Sequence, residues 1–573
     1  MSDVVPAGQA FLPDGVVLDH PRAIEPLYRT LYDRALPDRP ALEQWLQDWS
    51  DLEAALSEEG AWRYIRMTQD TRDKNAGERY ERFTLEVQPL VDTWTDRLNR
   101  KLMAVPFADE LREGGYPVML RGIREQLRIF RDENVPIQAG LRKLAQDYST
   151  LIGAMTIPWN GEEITLPKAA ALLEEKDRTV RERAFRGIAK RRLQDRDRLD
   201  DLFDAMVRDR HRMAVNAGFA NYRDYAYAAL GRFDHGPSDA EAFHASVAEV
   251  VVPLIEEMEQ ERQQSLGVDR LRPWDLAVDS AGLSPLRPFH TGEELLETAT
   301  AIFERVHPSF AAHLSTMRTN ALLDLESREG KAPGGYNYPL YRSGAPFIFM
   351  NAVGTADDLV TMLHEGGHAV HSFRTHALPL TAFKQFPSEV AELASMGMEL
   401  LSMRHWDLAY PEPADLKRAQ RDQLERVIGV LPWVAAIDAF QHWVYTHPDH
   451  DRVERAEAWT HIHERFSGRV VDWTGLEEER ASFWHKQLHI FEVPFYYIEY
   501  GIAQLGAIGL WAQAEREPDA AVERYAKALS LGYTRTLPEI YAAAGVRFDL
   551  GKPAVTDLAG AIAHELHRLR GMK

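Results

Sequence analysis

His364 and His368 stand four residues apart, with Glu365 between them, in the run Met362-Leu-His-Glu-Gly-Gly-His-Ala-Val-His371. On a helix that spacing projects both imidazoles from one face, so they can share a metal, and it leaves a carboxylate beside them as a base. The run therefore carries the His-Glu-x-x-His pattern of a zinc site. Catalytic zinc takes three protein ligands and keeps one position for water. The chain has no cysteine, so the third ligand must be histidine or a carboxylate. A longer pattern that adds a third histidine wants Gly at 371 and His at 374, where this chain has His371 and Arg374. Carboxylates follow in Pro387-Ser-Glu389-Val-Ala-Glu392-Leu-Ala-Ser-Met-Gly-Met-Glu399. Glu389 and Glu392 are three residues apart and share broadly one side of a helix, so spacing leaves both open as the ligand. Glu399, seven residues after Glu392, falls on the same face and suits a supporting role behind a histidine.

These residues need rigid elements to hold them. Thr355 with Asp358 three residues on forms a capping pair, and Leu359, Val360, Leu363 and Val370 keep helical spacing, so a helix is expected to start here and carry the motif. Gly366 and Gly367 lie inside that helix, where each costs about 1 kcal/mol relative to alanine, and a close backbone approach would explain them. Upstream, Gly334-Gly335, Tyr336, Tyr338, Tyr341, Ser343-Gly344 and Phe347-Ile-Phe-Met350 predict a glycine-rich loop feeding a short strand pair. A strand beside the metal helix could pair with an extended peptide over residues 346–351, with Phe347 and Phe349 among its contacts. Downstream, Trp484-His-Lys-Gln-Leu-His489-Ile-Phe-Glu-Val-Pro494-Phe-Tyr496-Tyr497-Ile-Glu-Tyr500 predicts a helix beginning near Pro494 with three tyrosines just inside it. Phenols one turn apart, Tyr497 and Tyr500, could donate hydrogen bonds to an oxyanion, and Tyr496 is a further candidate contact for substrate.

Helical periodicity dominates the rest. Leu42, Trp45, Leu46, Trp49, Leu52 and Leu56 recur at three- and four-residue steps, and the pattern continues to about Ser149. A brief exception at Met155 to Leu166 sets Ile157, Trp159, Ile164 and Leu166 about Asn160-Gly161, a tight hairpin signal, with Pro167 opening the next helix. Gly267 to Pro288 reads as a hinge or ordered loop. At 573 residues the chain exceeds the span of one hydrophobic core, which predicts an N-terminal helical lobe over 1–200 and a catalytic region over 201–573. A net charge of -21 disfavours nucleic acid and anionic membrane surfaces as partners. Met1 to Leu18 lacks a signal-peptide pattern and no apolar run approaches membrane-spanning length, so cytoplasmic residence is expected. No internal repeat is evident, and oligomeric state is not legible.

The motif at His364 to His371, the Glu392…Glu399 helix, the His489…Pro-Phe-Tyr-Tyr…Tyr500 segment and Leu537-Pro-Glu-Ile-Tyr-Ala-Ala-Ala-Gly-Val-Arg-Phe-Asp549 together resemble the thimet oligopeptidase-like zinc peptidases, in particular the oligoendopeptidase F and Pz-peptidase branch. The resemblance is most specific over residues 330–550. It implies a mainly α fold, with two helical lobes flanking a deep substrate channel and a small β element next to the zinc helix. It also implies one zinc ion per chain and hydrolysis of short, unfolded oligopeptides as a metalloendopeptidase. By that similarity Glu392 rather than Glu389 is the third ligand, His371 joins Glu399 in supporting the ligands, and His489 acts with Tyr497 or Tyr500 on the transition state. Ile498 departs from relatives, which often carry a further tyrosine there. A thermolysin-like or aminopeptidase reading would use Glu389 instead, and a helical scaffold with a structural metal is the non-enzymatic alternative. An adjacent base and an open coordination position disfavour the latter.

Overall fold

The structure is a computed structural model that describes residues 11, 12 and 15–571. The reading of Met1 to Leu18 falls mostly on residues 1–10, 13 and 14, which lie outside them. The fold is mainly α, as expected, with two small sheets.

The chain forms two compact units that interleave in sequence: Met1–Leu127, Leu286–Gln420 and Gly506–Phe548 make the first, and Arg128–Pro285, Arg421–Leu505 and Asp549–Lys573 the second. Residue 200 lies inside one helix of the second unit, Arg196–Asn216. In the first unit the long helix Arg39–Gln69 buries the stripe read from the sequence, with Leu42, Trp45, Leu46, Trp49, Leu52 and Leu56 all inside. They pack with Tyr28, Trp94, Leu98 and Leu102 from flanking helices. In the second unit Phe203, Phe440, Trp459, Trp484, Ile490, Phe491 and Phe495 belong to one aromatic-rich core.

The hairpin falls where the dipeptide indicated. Strand β1 (Thr156–Trp159) pairs antiparallel with β2 (Glu162–Thr165). Asn160 and Gly161 turn between them with φ of 52° and 91°, the left-handed pair that a two-residue hairpin requires. The second sheet is larger than expected. Strand β3 (Leu323–Glu326) lies parallel to β5 (Phe347–Ala352), and β4 (Tyr336–Tyr338) lies antiparallel on its other side. Strand β3 escapes sequence reading because four residues, two of them acidic, carry no alternation long enough to stand out.

Lys331 ties this sheet together. Its ammonium is fully enclosed, donating to Asp324 Oδ1 at 2.8 Å and to the carbonyls of Asp324 and Glu326 at 3.0 and 2.9 Å, and it lies 4.4 Å from the centre of the Phe349 ring. Asp324 also accepts from Arg328 and Gln69.

One expectation about length is corrected. The helix Pro413–Thr446 contains an 18-residue window of mean hydropathy 1.3, long and apolar enough by composition to cross a membrane, and 72% of that window is buried inside the protein. Asp438, Gln441 and His442 in its second half break the continuity of the apolar run in the sequence.

Candidate metal centre and active site

The metal-bearing helix runs from Ala356 to Thr375 and starts as its capping pair requires. Thr355 Oγ1 accepts from the Asp358 amide at 3.2 Å, and Asp358 Oδ2 accepts from the Thr355 amide at 2.8 Å. Beside it packs the acidic helix Ser388–Ser402. The glycines explain how close the two come. A Cβ on Gly367 would lie 2.6 Å from the Ala394 carbonyl oxygen and 2.8 Å from Ser395 Cα, while one on Gly366 would lie 2.6 Å from Phe303 Cζ. Backbone thus meets backbone at Gly367, the close approach that a double glycine in a helix predicts. Two buried phenols also hold the acidic helix: Tyr525 donates to the Ala394 carbonyl at 2.6 Å and Tyr541 to the Glu389 carbonyl at 3.0 Å. Asn337 of β4 donates to the Glu365 carbonyl at 3.1 Å, which joins the sheet to the motif helix.

Across this contact the ligand atoms of His364, His368 and Glu392 converge within 4.8 Å of one another. Glu392 Oε2 stands 3.4 Å from His364 Nε2 and 4.0 Å from His368 Nε2. Two ligands on one tetrahedral zinc stand about 3.3–3.5 Å apart, given bonds of about 2.0–2.2 Å. The spacing therefore fits a metal better than a hydrogen bond. Each histidine is also oriented from behind: His364 Nδ1 donates to Glu399 Oε1 at 2.6 Å, and the His368 ring donates to the Ala391 backbone. Glu392 Oε2 accepts from Ser395 Oγ at 3.0 Å. Glu389, the rival ligand, is buried but does not belong to the converging set.

The electrostatics follow from this crowding. Burial pushes the His364 imidazole down, but the carboxylates of Glu392 and Glu399 outweigh it and hold the ring well above its ordinary range. His368 is pushed down to about 4, by burial and then by the His364 charge. Burial raises Glu392, yet the two imidazoles bring it to about 2. Glu365 is 7% exposed, and burial lifts it to about 7, with Glu392 and Glu399 adding to the rise. Its Oε2 has no protein partner. A buried, unpaired carboxyl oxygen next to a convergent donor set fits a metal-and-water site.

Three further candidates lie in packed surroundings. His371, expected to support a ligand, makes no protein hydrogen bond through either ring nitrogen. It lies fully buried and stacked on Phe386 with ring centres 3.6 Å apart. Phe347 and Phe349 are buried to 2% and 0% exposure, the first against Trp62 and the second stacked on Tyr336. The reason is that β5 is the central strand: β3 and β4 occupy both its edges, so it has no free edge over residues 347–349 for a peptide.

The remaining candidates lie in the second unit. The expected helix near Pro494 begins instead at Ile498, because Phe495 takes φ of 68° and breaks it. Tyr496 and Tyr497 thus precede the helix and only Tyr500 lies in it. They still gather around one imidazole: His489 has ring centres 6.2, 4.7 and 5.8 Å from Tyr496, Tyr497 and Tyr500. Burial lowers His489 and raises Tyr497, which keeps both neutral around pH 7.

A second group that could hold a metal was not found from the sequence. His244, Asp438 and His442 are buried together, but Asp438 Oδ2 is 2.8 Å from His244 Nε2 and 3.2 Å from His442 Nε2. Those are hydrogen-bond distances, shorter than the ligand spacing of about 3.3–3.5 Å on zinc. This cluster is two imidazoles donating to one carboxylate oxygen; burial pushes Asp438 up, but those imidazoles outweigh it and hold the carboxyl well below its usual range. Its i, i+4 histidine could have been noticed, but His244 comes from 194 residues upstream.

A mainly helical chain that brings a His-Glu-x-x-His helix against an acidic helix has the makings of a peptidase. The chain belongs to peptidase family M3: that family's pattern matches residues 171–559, and its N-terminal domain matches 24–130. Oligopeptidase PepF of Bacillus subtilis is 22% identical over 400 residues, covering 69% of this chain and 58% of that protein. Group B oligopeptidase PepB of Streptococcus agalactiae is 23% identical over 60% of this chain and 55% of its own length. The matched stretches thus span under two thirds of these relatives. Among solved structures, Pz peptidase A with an inhibitor is 26% identical with a TM-score of 0.86, covering 96% of this chain and 97% of that one. An oligoendopeptidase F structure is 28% identical with a TM-score of 0.85 over 95% and 96%.

Proposed function

We propose that this protein is a zinc-dependent endopeptidase that hydrolyses short, unfolded oligopeptides. The observation that carries the reading is the convergence of His364, His368 and Glu392 beside the unpartnered carboxyl oxygen of Glu365. Zinc held by those three residues would acidify a water and polarise a peptide carbonyl. Glu365 takes the proton of the attacking water and returns it to the leaving amine. Its elevation to about 7 suits both halves of that task. Glu399 holds His364 with its Nε2 bare toward the ligand set. His489, Tyr497 and Tyr500 donate hydrogen bonds to the oxyanion of the tetrahedral intermediate, a role supported by their clustering and, for His489 and Tyr497, by burial that keeps both neutral at pH 7. The relatives' designation as oligopeptidases supports the substrate class.

Mass-spectrometric mapping of cuts in a mixed peptide library, with and without chelator, tests the proposal. Internal cuts in peptides blocked at both ends, abolished by chelator and restored by zinc, are expected. Removal of single residues from free amino ends only, with end-blocked peptides intact, would transfer the assignment to an aminopeptidase.

A further inference from the structure

The ring of His489 does not choose its own tautomer. Trp433 Nε1–H donates to Gln487 Oε1 at 2.9 Å, and Gln487 Nε2 donates to His489 Nδ1 at 2.6 Å. An indole nitrogen donates and cannot accept, so the amide atom it meets must be the oxygen. The other end of the amide is then NH2, which also only donates, so the imidazole nitrogen facing it must be bare. In a neutral ring the hydrogen is thereby left on Nε2.

The local fold makes this relay possible. Gln487 caps the short helix Leu488–Glu492 in an extended conformation, φ −89° and ψ 96°, and its side chain reaches His489 two residues on. Trp433 comes from the long helix Pro413–Thr446, 54 residues away in sequence from Gln487.

We infer that Gln487 is a positioning residue that holds His489 as the Nε2–H tautomer, with Trp433 fixing the amide that does so. The inference deepens the proposed role of His489 and rests on it. An imidazole of the opposite tautomer would turn a bare lone pair toward a developing oxyanion and repel it, whereas Nε2–H donates. Around the relay the titratable groups are Tyr496, Tyr497 and Tyr500 against His489, the Tyr497 hydroxyl against the Trp433 indole, Lys486 over the Trp433 ring at 4.3 Å, and His463 with its ring 6.4 Å from that of Trp433.

Gln487→Glu tests the relay. A carboxylate can only accept, from the indole and the imidazole alike, so it draws the His489 proton to Nδ1. Neutral His489 then has no Nε2 hydrogen, and only its imidazolium form does. In full-length, zinc-loaded protein labelled with 15N-histidine, the His489 signals, identified by their loss in His489→Phe, are expected to change from the Nε2–H to the Nδ1–H pattern. With a reference peptide, kcat should fall by about a hundredfold above the imidazole titration with KM little changed, and recover toward lower pH, giving an alkaline limb at His489 that the parent enzyme lacks. Trp433→Phe, which leaves Gln487 in place but frees its amide to turn, should raise the Nδ1–H population and so reads the relay without a new charge. Nitrogen shifts of His489 that stay as in the parent in both variants would overturn the inference, whatever happens to activity. If His489→Phe keeps full kcat, the oxyanion role of His489 fails instead, and the tautomer measurement still decides the relay by itself.

Discussion

Glu365 and Glu392 are both carboxylates of the same cluster, yet their surroundings assign them opposite work. Glu392 faces two imidazoles, which stabilise its charge and depress it to about 2, while Glu365 lies buried with one oxygen unpartnered and is lifted to about 7. The first suits a permanent anionic ligand and the second a group that exchanges protons. Glu365→Gln is therefore expected to retain about one zinc per chain while kcat falls by about two to four orders of magnitude, read by metal analysis and peptide hydrolysis together. Loss of the metal in that variant would make Glu365 a ligand. Glu392→Ala should abolish tight zinc binding and Glu389→Ala should leave it nearly intact, since only Glu392 converges with the histidines. The opposite result in metal analysis would favour the thermolysin-like arrangement.

At the scale of elements, the site depends on two helices pressed together through Gly367 and on a sheet held by one buried lysine. Alanine at 367 would bring a methyl within 2.6 Å of the Ala394 carbonyl, which Tyr525 already fixes, so the helices must part. Overpacking of this kind costs about 1–3 kcal/mol. Because His364 and Glu392 lie on opposite helices, Gly367→Ala should lower zinc affinity as well as Tm; unchanged zinc affinity would show that the pair has slack. In the sheet, burial raises Asp324 but Arg328, Lys331 and Gln69 bring it from near 3.8 to about 2. A folded value below the unfolded one stabilises the fold at pH above about 4, and that stability is lost as pH falls through about 2. Asp324→Ala leaves the enclosed Lys331 ammonium without its counter-charge and should cost about 3–5 kcal/mol near pH 7, measured by denaturant unfolding. A loss below about 1 kcal/mol would mean that the two carbonyls alone satisfy Lys331. The same elements show what a sequence can reveal. The motif helix was legible because capping, apolar spacing and ligand spacing all agree over one short stretch, and the double glycine announced its packing. The central position of β5 was not, because it depends on β3, a four-residue strand with no periodicity of its own. The end of Tyr496 and Tyr497 as helical residues was equally hidden. Phe495 adopts a left-handed φ that an aromatic residue favours only under compulsion, here burial among Tyr222, Tyr227 and Tyr445 and a hydrogen bond that its backbone N–H donates to Gln441 Oε1 at 2.7 Å.

For the molecule as a whole, selectivity should follow from how little of the ligand set meets solvent. The side chains of His364, His368 and Glu392 are 23%, 21% and 13% exposed. A carbonyl must leave its own hydrogen-bonded structure to reach such a recess, which a flexible peptide does freely and a folded domain does only by local opening. Compact native proteins are expected to survive incubations that degrade short peptides, with intact mass as the readout; efficient internal cleavage of a stably folded protein would refute this. The interleaving of the two units bears on a different moment in the protein's life, its synthesis. Domains usually fold in turn as the chain emerges, at about 5–20 residues per second. Here the first unit waits for Gly506–Phe548, which supplies the Tyr525 and Tyr541 bonds to the acidic helix, and the second waits for the stretch from Asp549 onward. A nascent chain that has released the motif helix and the acidic helix must still hold that pair through more than a hundred further residues before Tyr525 and Tyr541 arrive to fix the acidic helix. The ligand set of the first unit is therefore fixed in place only late in synthesis, once Gly506–Phe548 has joined it.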